Sequence, residues 1–454
     1  MVLQGTIRLA VAATGMALTA LIGCDDSTVA PDPAPLAADA LDRGGDRARA
    51  AKCDADNGGL VLPPGFCAVV VAKDVGLARH MAVRPNGDLY VAINNSRNGE
   101  TLGAVLALRD TDGDGRADIQ QRFGPTGGNG VLWHNGQLFF APNDRVLRYS
   151  FSGNSLLPNG NSTTVVQNLP ADGDHVSKTI VVGPGGWLYV NIGSASNSCQ
   201  IENRALQSAG IDPCPELPIR SGVWRFRADG ANQTPTVNAR FATELRNMVA
   251  LAIHPGNGDL YGAQNGRDQL FQNWPNLYTA QDDALLPAEE LFAIGAGKAY
   301  GWPYCYFDPI QNKKVLAPEY GGDGNAVGRC ATRERPIDDY PAHWAPLGML
   351  FYTGDQFPEK YRNGLFIAFH GSRFDPSQQP AGPGYLVTFT PFDGRLPSGQ
   401  FEKFADNFAQ GNPTPTGAAH RPVGLAQAPD GSLYISDDKG GWIWRVFFVG
   451  GSSD

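Results

Sequence analysis

Pro85-Asn86-Gly87-Asp88-Leu89-Tyr90-Val91 is a phrase that keeps returning along this chain. Pro184-Gly185-Gly186-Trp187-Leu188-Tyr189-Val190 is a second copy, and Pro255–Tyr261 (PGNGDLY) and Pro429–Ile435 (PDGSLYI) are a third and fourth. Asn135–Phe140 (NGQLFF) and Arg362–Ile367 (RNGLFI) are weaker versions. An apolar strand comes first, as in Met81–Val83, Thr179–Val182, Leu251–Ile253 and Val423–Ala426. A tight turn follows, where glycine supplies positive φ. A second strand opens with Leu-Tyr or Leu-Phe. A third follows in many copies: Val105–Leu108, Val146–Tyr149, Val223–Phe226 and Ile443–Val446.

Six such units, irregularly spaced, predict an all-β fold: a six-bladed β-propeller over residues 53–449. A β-sandwich would not explain the repeated phrase. The strand Ala68–Ala72 is expected to complete the last blade and close the ring. The stretch 305–340 is the largest poorly patterned insertion and is expected to cap one face.

The bulk numbers agree. Among 454 residues, 56 glycines and 34 prolines punctuate short apolar runs, as in all-β proteins. A net charge of −9 gives no support to nucleic-acid or anionic-membrane binding, which need a basic face. No long apolar run follows the N-terminus, so no transmembrane helix is expected there.

The N-terminus reads as an address. Arg8 precedes the apolar stretch Leu9–Ile22, and Leu21-Ile22-Gly23-Cys24 resembles a lipobox. Residues 1–23 then form a lipoprotein signal peptide, Cys24 is lipid-modified, and 24–52, rich in Ala, Asp, Pro and Arg, form a flexible tether. The protein is expected to be exported, periplasmic or in the cell envelope, and to touch membrane only through that lipid. Six other cysteines remain: Cys53, Cys67, Cys199, Cys214, Cys305 and Cys330. Three disulfides suit an exported chain, and pairing of sequence neighbours is the simplest connectivity.

Propellers bind small molecules at the central channel, on loops that lead into each innermost strand. Polar residues stand at that point in five repeats: His80, His175 with Lys178, Arg246-Asn247, His343-Trp344 and Arg421. These positions converge on one axis. A second candidate site is Asp110-Thr111-Asp112-Gly113-Asp114-Gly115-Arg116-Ala117-Asp118. Alternating acids around a glycine turn are the first half of a calcium loop, with Asp110, Asp112, Asp114 and Asp118 as ligands. A solvated acidic hairpin is the alternative. Asp282-Asp283 and Glu289-Glu290 are expected to flank the Gly266 region or to be solvated.

Six short motifs occur in a fixed order. They are Asp174–Thr179 (DHVSKT), Leu245-Arg246-Asn247, Gln264–Asp268 (QNGRD), Tyr300–Pro303 (YGWP), His370–Arg373 (HGSR) and Arg421-Pro422. In this the chain resembles the soluble pyrroloquinoline quinone (PQQ)-dependent sugar dehydrogenases, particularly their sorbosone dehydrogenase-like branch, over about residues 60–449. The resemblance implies a PQQ- and Ca²⁺-dependent oxidation of a small sugar or aldehyde. His175 matches the histidine that takes the substrate's hydroxyl proton, and Arg246 an arginine that stabilises the quinone oxygen as it gains charge. Asn247 matches a cofactor-binding amide, and Lys178 is counted with it. Gly266 and Arg267 match positions whose backbone carbonyls hold Ca²⁺. Arg373 and Arg421 match cations near the PQQ carboxylates.

Two departures stand out. Ser372 replaces a lysine beside the cofactor, and Arg267 stands where proline is frequent. His370 takes no role from the resemblance. The chain has no Cys-x-x-Cys-His haem motif, so a separate electron acceptor is expected. Two other functions fit such a fold: a calcium-dependent lactonase-type hydrolase and a non-catalytic surface-binding propeller. Channel-facing acids are scarce at the other blades, which counts against the hydrolase. A base beside an electrophile stabiliser, His175 with Arg246, counts against pure binding.

Overall fold

A computed structural model describes residues 52–96 and 103–450. Cys24, the signal segment and all of the tether except Lys52 lie outside the described residues. Six four-stranded sheets make up the body. The innermost strands of blades 1 to 6 are Ala78–Val83, Gly130–His134, Ile180–Gly183, Ala250–Ile253, Pro346–Phe351 and Pro422–Gln427. Each contacts the innermost strand of the next blade, and the sixth contacts the first, so the ring is closed. Within every blade, neighbouring strands run antiparallel.

The repeated phrase accounts for the stacking. Successive side chains on a strand point to opposite faces. In each second strand, leucine therefore faces the preceding blade and the following aromatic faces the next one. Leu89 packs with residues of blade 6, whereas Tyr90 packs with Val131, Leu138 and Phe140 of blade 2. Leu138, Leu188, Leu260, Leu365 and Leu433 behave like Leu89. Phe139, Tyr189, Tyr261, Phe366 and Tyr434 behave like Tyr90. Two of the tyrosines also bond across: Tyr90 donates to Leu156 O (3.1 Å) and Tyr261 to Arg395 O (2.8 Å). The turn before the Leu-Tyr pair needs glycine at Gly87 (φ +94°) and Gly431 (φ +86°).

Closure comes from the N-terminal side. Phe66–Ala72, buried along its whole length, is the outermost strand of blade 6 and pairs Phe66 with Phe448. It is two residues longer at its start than the expected Ala68–Ala72. The three disulfides join sequence neighbours, Cys53–Cys67, Cys199–Cys214 and Cys305–Cys330. The insertion within blade 4 carries its own hairpin, Cys305–Asp308 with Lys313–Leu316. It is shorter than expected from sequence, because Asp338–Tyr340 is the fourth strand of blade 4.

Leu138 is fully buried in the contact between blades 1 and 2. Leu138→Ala should lower unfolding stability by about 2–5 kcal/mol in urea titration. A loss well under 1 kcal/mol would mean that these contacts do not hold the ring.

Candidate functional site

The loops that lead into the innermost strands gather at one end of the channel, and one loop after each second strand joins them. His175 stands on the loop before Ile180. Its Nδ1 lies 3.0 Å from Ser194 O and 2.8 Å from Ser194 Oγ, while Ser194 Oγ donates to Ser196 O (2.7 Å). A carbonyl only accepts, so Nδ1 carries the proton and Nε2 keeps its lone pair. Burial, reinforced by Arg246, lowers the imidazole pKa to about 3, so it is neutral near pH 7. Gly193 allows this approach: a Cβ there would lie 2.6 Å from His175 Cβ and 3.2 Å from Asn247 Oδ1.

Arg246 is buried and fully bonded. Its Nε donates to Asn197 O (3.1 Å), Nη1 to Gly266 O (2.7 Å), and Nη2 to Asn197 Oδ1 (2.9 Å) and Asp268 Oδ2 (3.3 Å). Asn247 Oδ1, beside it, is buried with no hydrogen-bond partner. Asp268 is the hub that sequence reasoning quoted but did not assign. Arg246, Arg204 (3.4 Å), Arg373 (3.5 Å) and His343 (3.7 Å) surround its carboxylate. Burial by itself would raise that carboxyl, but His343, Arg246 and Arg373 hold it well below the usual range. Glu289 lies beneath, accepting from Gly266 N (2.7 Å) and Ala345 N (2.9 Å). Burial pushes it up to about 7.

A second group shares the mouth. His370 Nε2 lies 2.6 Å from Asp438 Oδ1, and Arg79 donates to Asp438 Oδ2 (2.5 Å) and Asn129 Oδ1 (2.8 Å). Arg421 donates to His370 O (2.8 Å) and Gly371 O (2.9 Å). His370 was left without a role in sequence, and its partner Asp438 was not foreseen. Below the mouth, a cavity of about 130 Å³ is lined from all six innermost strands, by His80, Leu132, Ile180, Leu251, Met349 and Leu425 among others. His80 Nε2 donates to Leu347 O (2.7 Å), and burial lowers its pKa to about 4.

Other expected residues lie elsewhere. Lys178 is fully buried and donates to Val176 O (2.5 Å); its charged neighbours are Arg220, Asp172 and Asp144, so it does not join the Arg246 group. The Arg267 side chain turns away into a buried pair with Glu319 (2.6 and 2.7 Å). Ser372 Oγ accepts from Phe374 N (3.1 Å). Trp344 is a core residue whose indole donates to Gly382 O (2.8 Å). Glu289, Glu290 and Asp283 are buried rather than solvated: Glu290 pairs with Lys314 (2.6 Å), and Asp283 accepts from Leu270 N (2.6 Å). Of the four acids only Asp282 is partly exposed, in a capping box with Thr279. At the opposite end of blade 1, carboxylate oxygens of Asp110, Asp112 and Asp118 lie within 4.8 Å of one another, but Asp114 is outside the group.

The family model described as TrAA12-like matches residues 60–447. A protein of Borreliella burgdorferi, described as uncharacterized, is 29% identical over 263 residues; the match covers 57% of this chain and 60% of that one. This chain thus spans about 60% of the length of that curated relative. Two solved structures share the fold. The calcium structure of the Trichoderma reesei carbohydrate-active enzyme of family AA12 is 19% identical (TM-score 0.67; 86% of this chain, 96% of that one). The holo form of the pyranose dehydrogenase PQQ domain from Coprinopsis cinerea is 18% identical (TM-score 0.68; 88% and 98%). At these identities the likeness is one of fold.

His80 and His175 are neutral when folded but gain protons near pH 6.5 when unfolded. The unfolded state then binds more protons, so their effect destabilises the fold as pH falls from about 6.5 towards 4. The melting temperature should fall over that window, and His80→Gln should flatten the slope. An unchanged slope would place the His80 proton affinity near its ordinary value.

Proposed function

The chain belongs to the TrAA12-like family, and on that premise we propose that it is a PQQ-dependent oxidoreductase acting on a sugar or aldehyde. The observation that carries this reading is His175: a neutral imidazole with a bare Nε2, fixed through Nδ1, next to the Arg246 guanidinium. A surface-binding propeller has no need of that pair. Three arginines, Arg204, Arg246 and Arg373, share the Asp268 carboxylate, and among the described residues Arg204 alone of them has a second acid, Asp174, which leaves positive charge for an anionic ligand. Asn247 Oδ1 is an orphaned acceptor in the same place. These features fit PQQ, and the Coprinopsis domain of this fold is a PQQ domain.

When bound, PQQ supplies a quinone that accepts hydride. His175 Nε2 is the base for the substrate's hydroxyl proton, and Ser194 fixes its tautomer and ring plane. Arg246, whose N–H groups are held by Asn197, Gly266 and Asp268, would stabilise by its positive charge the oxygen that gains charge. Asn247, Arg373 and Arg421 would hold the cofactor by its amide-facing and carboxylate edges. The carbonyls of Gly266 and Arg267, hard oxygen donors, would hold Ca²⁺. Gly266 O already accepts from Arg246, so metal binding and the arginine's hydrogen bonds are coupled. The acidic loop at Asp110, Asp112 and Asp118 is proposed as a second, structural calcium site, remote from the chemistry. A lactonase-type site is disfavoured because Asp268 and Glu289 are already engaged by arginines and backbone N–H groups. Lipid attachment at Cys24, an envelope location and a separate electron acceptor complete the reading. Three disulfides suit an oxidising compartment.

The test is reconstitution of the purified protein with PQQ and Ca²⁺, followed by cofactor absorbance and then dye reduction with aldoses and aldehydes. Stoichiometric binding with substrate-dependent reduction is expected; a folded protein that takes up no PQQ discards the reading. His175→Ala should cut turnover by about 10²–10⁴-fold with PQQ binding retained. Turnover equal to wild type in that variant would remove His175 as the base.

A further inference from the structure

Asn197 sits on the loop after the second strand of blade 3 and is fully buried. Every polar function it has is engaged. Its Oδ1 accepts from Arg246 Nη2 (2.9 Å) and from Asp268 N (2.9 Å), and its Nδ2 donates to Asp268 O (2.8 Å). Its carbonyl accepts from Arg246 Nε (3.1 Å) and from the Trp302 indole (2.9 Å). Its N–H donates to Asn203 Oδ1 (3.0 Å). One amide thus ties together two residues that come from different loops and carry opposite charges.

The loop that bears it is itself clamped. The Cys199–Cys214 bridge begins two residues on. The blade 4 insertion grips that bridge: Cys214 N donates to Tyr304 Oη (3.0 Å), Gly210 N to Glu319 O (2.9 Å), and Arg329 pairs with Asp212 (2.6 Å). The bridge, its partner Cys305–Cys330, and Trp302 share one apolar cluster. This double clamp contains none of the acid, base or cofactor-facing groups described above. Its hydrogen bonds lead through Asn197 to Arg246 and Asp268.

We propose that Asn197 is the positioning residue that sets Arg246 and Asp268 for the anionic quinone cofactor, with the bridged loop and the blade 4 insertion as its support. This rests on the PQQ reading above. The chemistry favours it: a long guanidinium side chain has several rotamers, and two fixed acceptors on one residue select one of them. Without the Asn197 amide, the buried Nη2 is left with Asp268 alone, and the Asp268 N–H loses its acceptor.

The first experiment needs no cofactor. In low-temperature ¹⁵N-arginine spectra of the protein, the Arg246 Nη2 hydrogens, which donate to Asn197 Oδ1 and Asp268 Oδ2 and are identified by their loss in Arg246→Lys, should be protected from solvent exchange. Asn197→Leu, of similar size, loses the side-chain amide but keeps the main-chain carbonyl, and should abolish protection of the Nη2 hydrogen bonded to Oδ1 while the far-ultraviolet circular dichroism is unchanged. Asn197→Ser serves if the leucine variant does not fold. Protection equal to wild type in the variant overturns the proposal.

The second experiment is PQQ titration by absorbance. Asn197→Leu should weaken binding about tenfold, and Asn197→Leu with Arg246→Lys should bind no more weakly than Arg246→Lys alone, since the amide acts through the arginine. Additive losses, or wild-type affinity in Asn197→Leu, overturn the link to the cofactor. Failure of the wild-type protein to bind PQQ, with protection lost in the variant, overturns the PQQ reading instead and leaves Asn197 as the holder of Arg246.

Discussion

Every blade of this protein depends on its neighbours through one dipeptide. Leucine and the aromatic after it stand on the same strand but point to opposite faces, so each blade contributes to two apolar layers and completes neither. Burying both faces requires a blade on each side, which is satisfied only when the ring closes. Position at the channel mouth follows from that closure. The innermost strands begin at the same end, and the loops before them have no choice but to meet.

The mouth is built around buried charge. Asp268 holds several cations and is the acid that pairs with two of them, Arg246 and Arg373. Burial makes such an arrangement costly unless hydrogen bonds complete it. Those bonds come from carbonyls of Asn197 and Gly266, from Gln264 Oε1 on the Arg246 N–H (2.7 Å), and from the Glu289 carboxylate under the Gly266 N–H. Structure and reactivity therefore use the same atoms here. The groups that would meet a cofactor are the ones that keep the loops in place without it.

Much of this was legible in the sequence, and the rest was not for identifiable reasons. The period of two in the Leu-aromatic pairs is local, so the six blades and many of their inner strands could be read directly, whereas neighbour pairing of the cysteines was only the simplest of several connectivities. His175, Arg246 and Asn247 stand inside short motifs and could be picked by position. Asn197 and Asp268 are 71 residues apart, and His370 and Asp438 are 68 apart. No local pattern marks either pair. Lys178 misled because it is close to His175 in the chain, yet its ammonium is buried against Val176 O among a different set of charges. Glu289 flanks the Gly266 region, one of the two expected outcomes, but neither it nor Glu290 is solvated. On a strand they face opposite sides, and each found its own donors in the interior.

The closing strand has one more consequence. Among the described residues, Phe66–Ala72 is the first strand to be synthesised and its partner Ile443–Phe448 is the last. An apolar strand with an unpaired edge must wait until all the intervening blades have been made, which makes ring closure a contact of very high order and leaves a sticky edge in the nascent chain. The Cys53–Cys67 bridge is the exception, for it joins this strand to the segment just before it. That local tether needs none of the intervening blades, so the strand that is paired last is already held by a short covalent loop.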